Sequence, residues 1–329
     1  MLNLMKKFTS VYSVSGCESE IASLISEEIR PFVDDIRTDA LGNLIAYKKG
    51  IDQSKKLMIA AHMDEIGFVV TYIDSKGFLR VSNIGGISPA TAYSEVMFKN
   101  GVRGVIVMDA SAKSDPKVKD MVIDIGAKDK KDAERRVKVG DTCAPVNNFK
   151  RLANNRYTAK AFDDRIGCAV AAYAAKKIEK AAYDTYFVFT VQEEVGLRGA
   201  KTAAFAIAPD YGITVDVTRT GDVPGVSPMA ISLGDGAAIK VKDNSVICSK
   251  LVVDSLAAIA DKNGIKYQYE ILEAGGTDAA SMQQAGAGCH AGGISIPTRY
   301  LHTPVEVIDF KDVMACGELL KCTIENGIA

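Results

Sequence analysis

Tryptophan is missing from the 329 residues, and histidine occurs only three times, at positions 62, 290 and 302. The first absence argues against a carbohydrate site, where aromatic rings usually stack on sugars. Excess charge is missing as well: 40 basic against 41 acidic side chains leave a formal net charge of −1. Nothing in that balance draws the chain to nucleic acid or to an anionic membrane surface. The seven cysteines are odd in number and include no C-x-x-C, which argues against both a disulfide framework and a cysteine-based zinc ribbon. They read as reduced, mostly buried side chains. No apolar run approaches the ~18 residues of a membrane-spanning helix, and no G-x-S-x-G supplies a serine nucleophile elbow. Val14-Ser15-Gly16-Cys17 after Lys6-Lys7 has the form of a lipoprotein cleavage site, but the intervening FTSVYS is too short and polar for a signal core. The cytoplasm is the expected compartment, with no membrane or nucleic-acid partner.

With 47% apolar and 25% charged residues, the chain has the composition of an ordinary globular protein long enough for one large domain and a smaller one. Helical spacing over 2–12 is followed by a predicted helix over Gly16–Arg30, with Ser15 and Glu18 placed as a capping box. A turn at 37–43 feeds a strand over Leu44–Tyr47, and Lys56–Ala61 is an apolar strand running into His62-Met63-Asp64. From 67 to 153 the texture changes to short strand-like runs (68–73, 78–81, 96–98, 102–108 and 121–125), broken by Gly, Asn, Pro and Lys-rich turns and one short helix near Asp129–Val137. Helix and strand then alternate to the end: helices at 164–180, 199–207, 250–263, 277–285 and 309–326, and strands at 157–161, 186–191, 211–216, 266–271 and 293–296. Alternation on both sides of an interruption predicts a mixed-sheet α/β/α domain from 1–66 and 154–329, with an inserted small β domain over 67–153.

Ionisable groups gather where apolar strands stop. Glu193 and Glu194 follow the run Tyr186–Val191, and a pair of neighbouring carboxylates has no place inside a sheet. They are either a solvated loop pair or a site at a strand's carboxyl end, where open α/β sheets bind ligands. Taken with His62, Asp64, Asp163, Asp164, Asp216 and His302, they form a set of nitrogen and oxygen donors suited to zinc, cobalt or manganese. The donors outnumber what one tetrahedral ion can use, which points to two ions with one carboxylate between them. Asp64, two residues beyond His62, is placed to accept the second imidazole N–H. If the chain turns after Val191, Glu193 and Glu194 can divide the tasks of ligand and base.

The segments HMDEIGF (62–68), AFDDRIG (161–167), VQEEVGLRGA (191–200), VDVT (215–218), EAGGTDA (273–279) and ISIPTRYLHTPVE (294–306) resemble, in order, the motifs of the M42 metalloaminopeptidases. That family includes glutamyl aminopeptidases, the tetrahedral TET peptidases and proteins labelled cellulase M. The resemblance implies that Asp163 bridges two divalent ions, zinc with cobalt or manganese as alternatives. His62 and Asp216 would complete one site, and Glu194 and His302 the other. Glu193 would be the general base and Asp64 the support of His62. It also implies a cis peptide between Asp163 and Asp164, a PDZ-like or barrel-like insertion used in assembly, dimers that build a dodecamer, and peptide substrates. Gly276, Thr277 and Asp278 would touch the substrate backbone; alternatively, Thr277 only caps a helix. His290 reads as a core or loop histidine, and Gly234-Asp235-Gly236 and Gly286-Ala287-Gly288 as turns. Two rivals remain, a glycosidase suggested by the cellulase label and a non-catalytic scaffold of the same fold.

Overall fold

The structure, a computed structural model, describes residues 1–112 and 114–329. An eleven-stranded mixed sheet carries the chemistry-bearing segments. Its centre is parallel, with Gly50–His62 between Ala181–Thr190 and Tyr211–Thr218, and His290–Arg299 beyond the latter. Leu57–Ala61, Phe187–Phe189, Ile213 and Val215 are all buried, as expected of central strands covered by helices on both faces. Antiparallel strands flank that centre: Leu44–Lys48 against Ala181–Thr190, and Ala237–Lys242 and Glu306–Asp309 against different parts of His290–Arg299. The helix Phe162–Lys177 packs with Leu2–Ser10 and Phe310–Asn326, while Arg198–Ile207 packs with Asp278–Gln283. Its alanines and Gly167 let Phe162–Lys177 sit close to the sheet; a Cβ at Gly167 would come within 2.5 Å of the Val215 carbonyl oxygen.

Residues 67–145 supply a second unit, a closed six-stranded barrel of Gly67–Ile73, Leu79–Ile84, Met121–Asp124, Arg103–Met108, Ser94–Phe98 and Thr142–Pro145. Alternate residues of those strands, among them Phe68, Val70, Leu79, Val81, Val96, Phe98 and Ile106, fill a core separate from that of the large sheet. Closure removes the free edges that such short strands would otherwise expose. The fold is therefore the expected mixed-sheet α/β arrangement with a small barrel.

Several local expectations fail for identifiable reasons. Ser15 and Glu18 form no capping box: the second helix starts at Ser19, Ser15 Oγ donates to Asp64, and Glu18 Oε1 accepts the N–H groups of Gly16 and Gln192. Thr277 stands before the Asp278–Gln283 helix without a capping bond, its hydroxyl donating instead to Asp243 at 3.2 Å. All three polar side chains have tertiary partners that local spacing cannot reveal. Five short strands, Asp35–Thr38, Thr142–Pro145, Lys150–Arg151, Ala237–Lys242 and Glu306–Asp309, are additional to the sequence reading.

Phe187 is fully buried in the central strand whereas Phe205 is exposed. Phe187→Ala should cost about 3–5 kcal/mol through lost burial and a residual cavity, while Phe205→Ala should stay within ~0.5 kcal/mol. Denaturant midpoints of the two variants measure the contrast, and equal midpoints would contradict this packing.

Candidate active site

Strand register brings the site together. Thr190 is paired with His62 at the carboxyl ends of neighbouring parallel strands, and Asp216 lies near the same end of the next strand. Beyond Thr190 the chain turns at Gln192, which adopts φ 56°, and the N–H groups of Gly196 and Leu197 return to the Glu193 carbonyl. That turn lets adjacent glutamates face one cluster. Glu193 Oε2 is 3.9 Å from His62 Nε2, and Glu194 Oε2 is 3.7 Å from His302 Nε2.

Asp163 lies between the two imidazoles, with Oδ1 at 3.0 Å from His62 Nε2 and Oδ2 at 3.1 Å from His302 Nε2. It occupies the start of the Phe162–Lys177 helix, where Asp163 and Asp164 leave helical geometry, and the peptide bond joining them is cis. Asp164 is turned the other way. Its Oδ2 accepts the His62 N–H at 3.1 Å and its Oδ1 the Gly167 N–H at 3.0 Å. Asp216 Oδ1 is 3.9 Å from His62 Nε2.

Asp64 does more than neighbour the first histidine. Its Oδ1 lies 3.5 Å from His62 Nδ1, which is nearer, at 3.1 Å, to the Asp64 backbone oxygen. Its two carboxylate oxygens accept the N–H groups of Glu193 and Glu194 at 3.0 and 3.2 Å, so Asp64 holds the turn that presents both glutamates. Gly276 and Thr277 line the same cavity of about 370 Å³ as His62, Glu193, Glu194 and His302. Asp278 lies beneath it, accepting the Thr190 hydroxyl at 2.6 Å. His290 is remote from the cluster and paired with the Ser249 hydroxyl at 3.0 Å.

Other participants lie in or beside the quoted motifs, but their partners are not legible in the sequence. Glu306 Oε1 accepts the His302 N–H and its Oε2 the Asp163 N–H. Gly86, from the barrel, accepts the Nδ1–H of His302 at 2.9 Å, which directs Nε2 toward Asp163 and Glu194. Arg165 is fully buried and donates to the carbonyls of Met63, Phe8, Val11 and Ser13 and to Glu65, while Lys160 closes a buried pair with the same Glu65. Their motifs were visible, but a buried donor's partners depend on the fold.

Crowding perturbs every titration here. Burial pushes Glu193 well above the usual carboxylate range, with Asp216 and Glu194 adding to the rise against the pull of His62. Burial likewise lifts Glu194 to about 8, helped by Asp163, and Asp216 to about 7, also helped by Asp163. Burial opposes a charge on His302, yet Asp163 and Glu194 raise it to about 10. Asp163 is held below the usual range despite its burial, because both imidazoles favour its anion. The cluster thus calls for positive charge. A divalent cation fits its donors: ligand atoms of His62, Asp163 and Glu194 lie within 4.8 Å of one another, as do those of His62, Asp164 and Asp216. Glu194 Oε1 is buried without a hydrogen-bond partner, as a group awaiting a cation would be.

The family description M42 glutamyl aminopeptidase matches residues 42–319. A protein of Acetivibrio thermocellus is 50% identical over 323 residues, 97% of either chain. Among solved structures, an aminopeptidase from the archaeon Desulfurococcus kamchatkensis gives a TM-score of 0.95 at 41% identity, covering 99% of this chain and 94% of that one. The Pyrococcus horikoshii TET1 peptidase, which can assemble into a tetrahedron or a large octahedral shell, gives 0.90 at 33% identity over 99% of both chains. The chain belongs to the M42 aminopeptidase family and is a hydrolase of the peptidase class.

Proposed function

We propose that the chain removes the N-terminal residue from peptides with two divalent ions, zinc or alternatively cobalt or manganese, and with Glu193 as general base. In this reading His62, Asp163 and Asp216 would hold one ion, and Asp163, Glu194 and His302 would hold the other. The observation that carries it is the placement of Asp163 between two imidazoles, 3.0 and 3.1 Å from their Nε2 atoms. Asp164 is set aside as a ligand because both of its oxygens already accept backbone N–H groups. Asp64 supports His62 and the Glu193–Glu194 turn.

Bound ions would supply Lewis acidity toward the scissile carbonyl and make an attacking water more acidic. Glu193 takes the proton from that water as its oxygen bonds to the carbonyl carbon. When the carbon–nitrogen bond breaks, Glu193 gives the same proton to the departing amine, leaving a free amino acid and a peptide one residue shorter. Gly276 and Thr277 present backbone to the substrate, while the carboxyl-rich floor suits its free α-amino group. A glycosidase would need two carboxyls astride a sugar and would leave His62 and His302 without a task. A scaffold role would leave the crowded charge unexplained.

The same reading divides the chain into a catalytic domain of 1–66 and 154–329 and an inserted domain of 67–153. The barrel would serve dimerisation, with dimers building a dodecamer; the assembly of the TET1 relative supports this. The unpaired cysteines support a reducing, cytoplasmic compartment. Among the described residues no helix is long and apolar enough to cross a membrane.

Glu193→Gln should keep its metal and lose ~10²–10⁴ in turnover on aminoacyl-nitroanilides; unchanged kcat would remove Glu193 from the role. His302→Ala should lower the metal content per chain, read by elemental analysis after dialysis, and an unchanged content would exclude it as a ligand. Metal removal should also expose a pH dependence. Folded Glu194 and Asp216 titrate near 8 and 7, against ~4.3 and ~3.9 in an unfolded chain. Raised carboxyls stabilise fully below the unfolded values, and that contribution is lost as pH rises through the folded ones. His302, raised to about 10, acts in the same direction from ~6.5 upward. The chelated protein should therefore melt at a lower temperature at pH 8 than at pH 6, and added zinc should abolish that fall. A melting temperature in chelator that is flat or rising over this interval would contradict the charge balance.

A further inference from the structure

Glu306 opens the strand Glu306–Asp309, pairs across from Ala159 and is almost wholly buried. Among the described residues no ammonium, guanidinium or imidazole forms an ion pair with it. Lys160, next to its cross-strand partner, gives its charge to Glu65. What Glu306 does meet are two main-chain N–H groups 139 positions apart in sequence. Oε1 accepts from His302 at 3.0 Å and Oε2 from Asp163 at 3.1 Å.

Neither donor lies in a regular ladder. His302 has φ 60° in a turn, and Asp163 leaves helical geometry at the start of its helix. The side chains of these two residues meet 3.1 Å apart on the far side of their backbones. One rigid carboxylate therefore spans the two segments, and the spacing of its oxygens sets the spacing of the groups that face the cavity. A small void lined by Glu65, Lys160, Glu194 and Glu306 lies beside it, so neighbouring atoms do not fix the geometry by packing alone.

We propose that Glu306 is a positioning residue, a two-oxygen clamp that fixes Asp163 against His302 and thereby sets the affinity of the chain for divalent ions. The inference rests on the ligand roles proposed above, and Glu306 itself touches neither ion nor substrate. A carboxylate is required because both partners are donors. Glutamine has the same shape but offers one oxygen and one NH₂, so one of the two N–H groups faces another donor. Aspartate keeps two acceptors but is one methylene short.

The test is a zinc titration of the chelated full-length wild type and Glu306→Gln by competition with a coloured chelator, with the visible spectrum of the cobalt-loaded proteins in parallel. Zinc affinity should fall ~10–100-fold in the variant, as for other groups that orient metal ligands. The cobalt absorption should shift, and kcat at saturating metal should recover to within a few-fold with KM unchanged. Equal zinc affinity and an unchanged cobalt spectrum in the folded variant would overturn the clamp while leaving the peptidase reading intact. A wild type that takes up no divalent ion would instead overturn that reading, and the clamp with it. If Glu306→Gln does not fold, Glu306→Asp is read in the same way: weakened uptake supports the clamp, and wild-type uptake overturns it.

Discussion

Like charge crowded away from water is the condition that the rest of the molecule answers. Asp163, Asp216, Glu193 and Glu194 line one cavity with His62 and His302, and Asp64, Asp164, Asp278 and Glu306 are buried around it. At an effective dielectric near 20, two carboxylates 4 Å apart repel by roughly 4 kcal/mol. So many cannot all be ionised without compensating cations, and the raised titrations of Glu193, Glu194 and Asp216 are the metal-free expression of that fact. A chain of nearly zero net charge has no global reason to concentrate acid at one point. The reason is local, and it is chemical.

Holding such a cluster requires that the backbone beneath it be held first. Four carboxyl groups spend their oxygens on main-chain donors: Asp64 on Glu193 and Glu194, Asp164 on His62 and Gly167, Glu306 on Asp163 and His302, and Glu18 on Gln192. Arg165 performs the complementary task, tying carbonyls of the 8–13 segment to Met63 just past the first histidine. Acids near the site thus fall into two groups. Those whose oxygens are both taken by main-chain donors fix the frame, whereas Glu194 Oε1 is left without a partner. The distinction explains why Asp163 and Asp164, adjacent in sequence and equally acidic, face different partners.

Sequence periodicity exposed the central strands because burial on both faces forces long apolar runs, as in Lys56–Ala61 and Tyr186–Val191. It also exposed the acids at their ends, since a charge abutting such a run is conspicuous. Motif resemblance then supplied the pairing of His62 with Asp163 and His302, which no spacing contains. Glu306 closes a quoted motif, yet its role is not legible there, because its strand is four residues long and its partners are backbone atoms, which have no sequence identity. Ser15, Glu18 and Thr277 misled for a related reason: each has local capping chemistry, but a tertiary partner outbids the local one. Ala237–Lys242 was hidden by Lys240, fully buried and paired with Glu270 and Asp243 where an apolar residue would have marked the strand.

The barrel meets this chemistry at Gly85 and Gly86: a Cβ at Gly85 would come within 3.0 Å of Glu194 Oε2, and the Gly86 carbonyl faces His302. The ligand role proposed for His302 would need the Nε2 lone pair turned to the cavity, and that tautomer requires Nδ1 to carry its hydrogen toward an acceptor. The acceptor is the carbonyl of Gly86, in the segment between two barrel strands, and a Cβ at that position would come within 2.7 Å of the imidazole. Glycine is needed there for the closeness of the approach. A unit whose core is independent of the large sheet therefore sets the orientation of a donor in the site. His62, by contrast, takes its orientation from Asp64 on the sheet side.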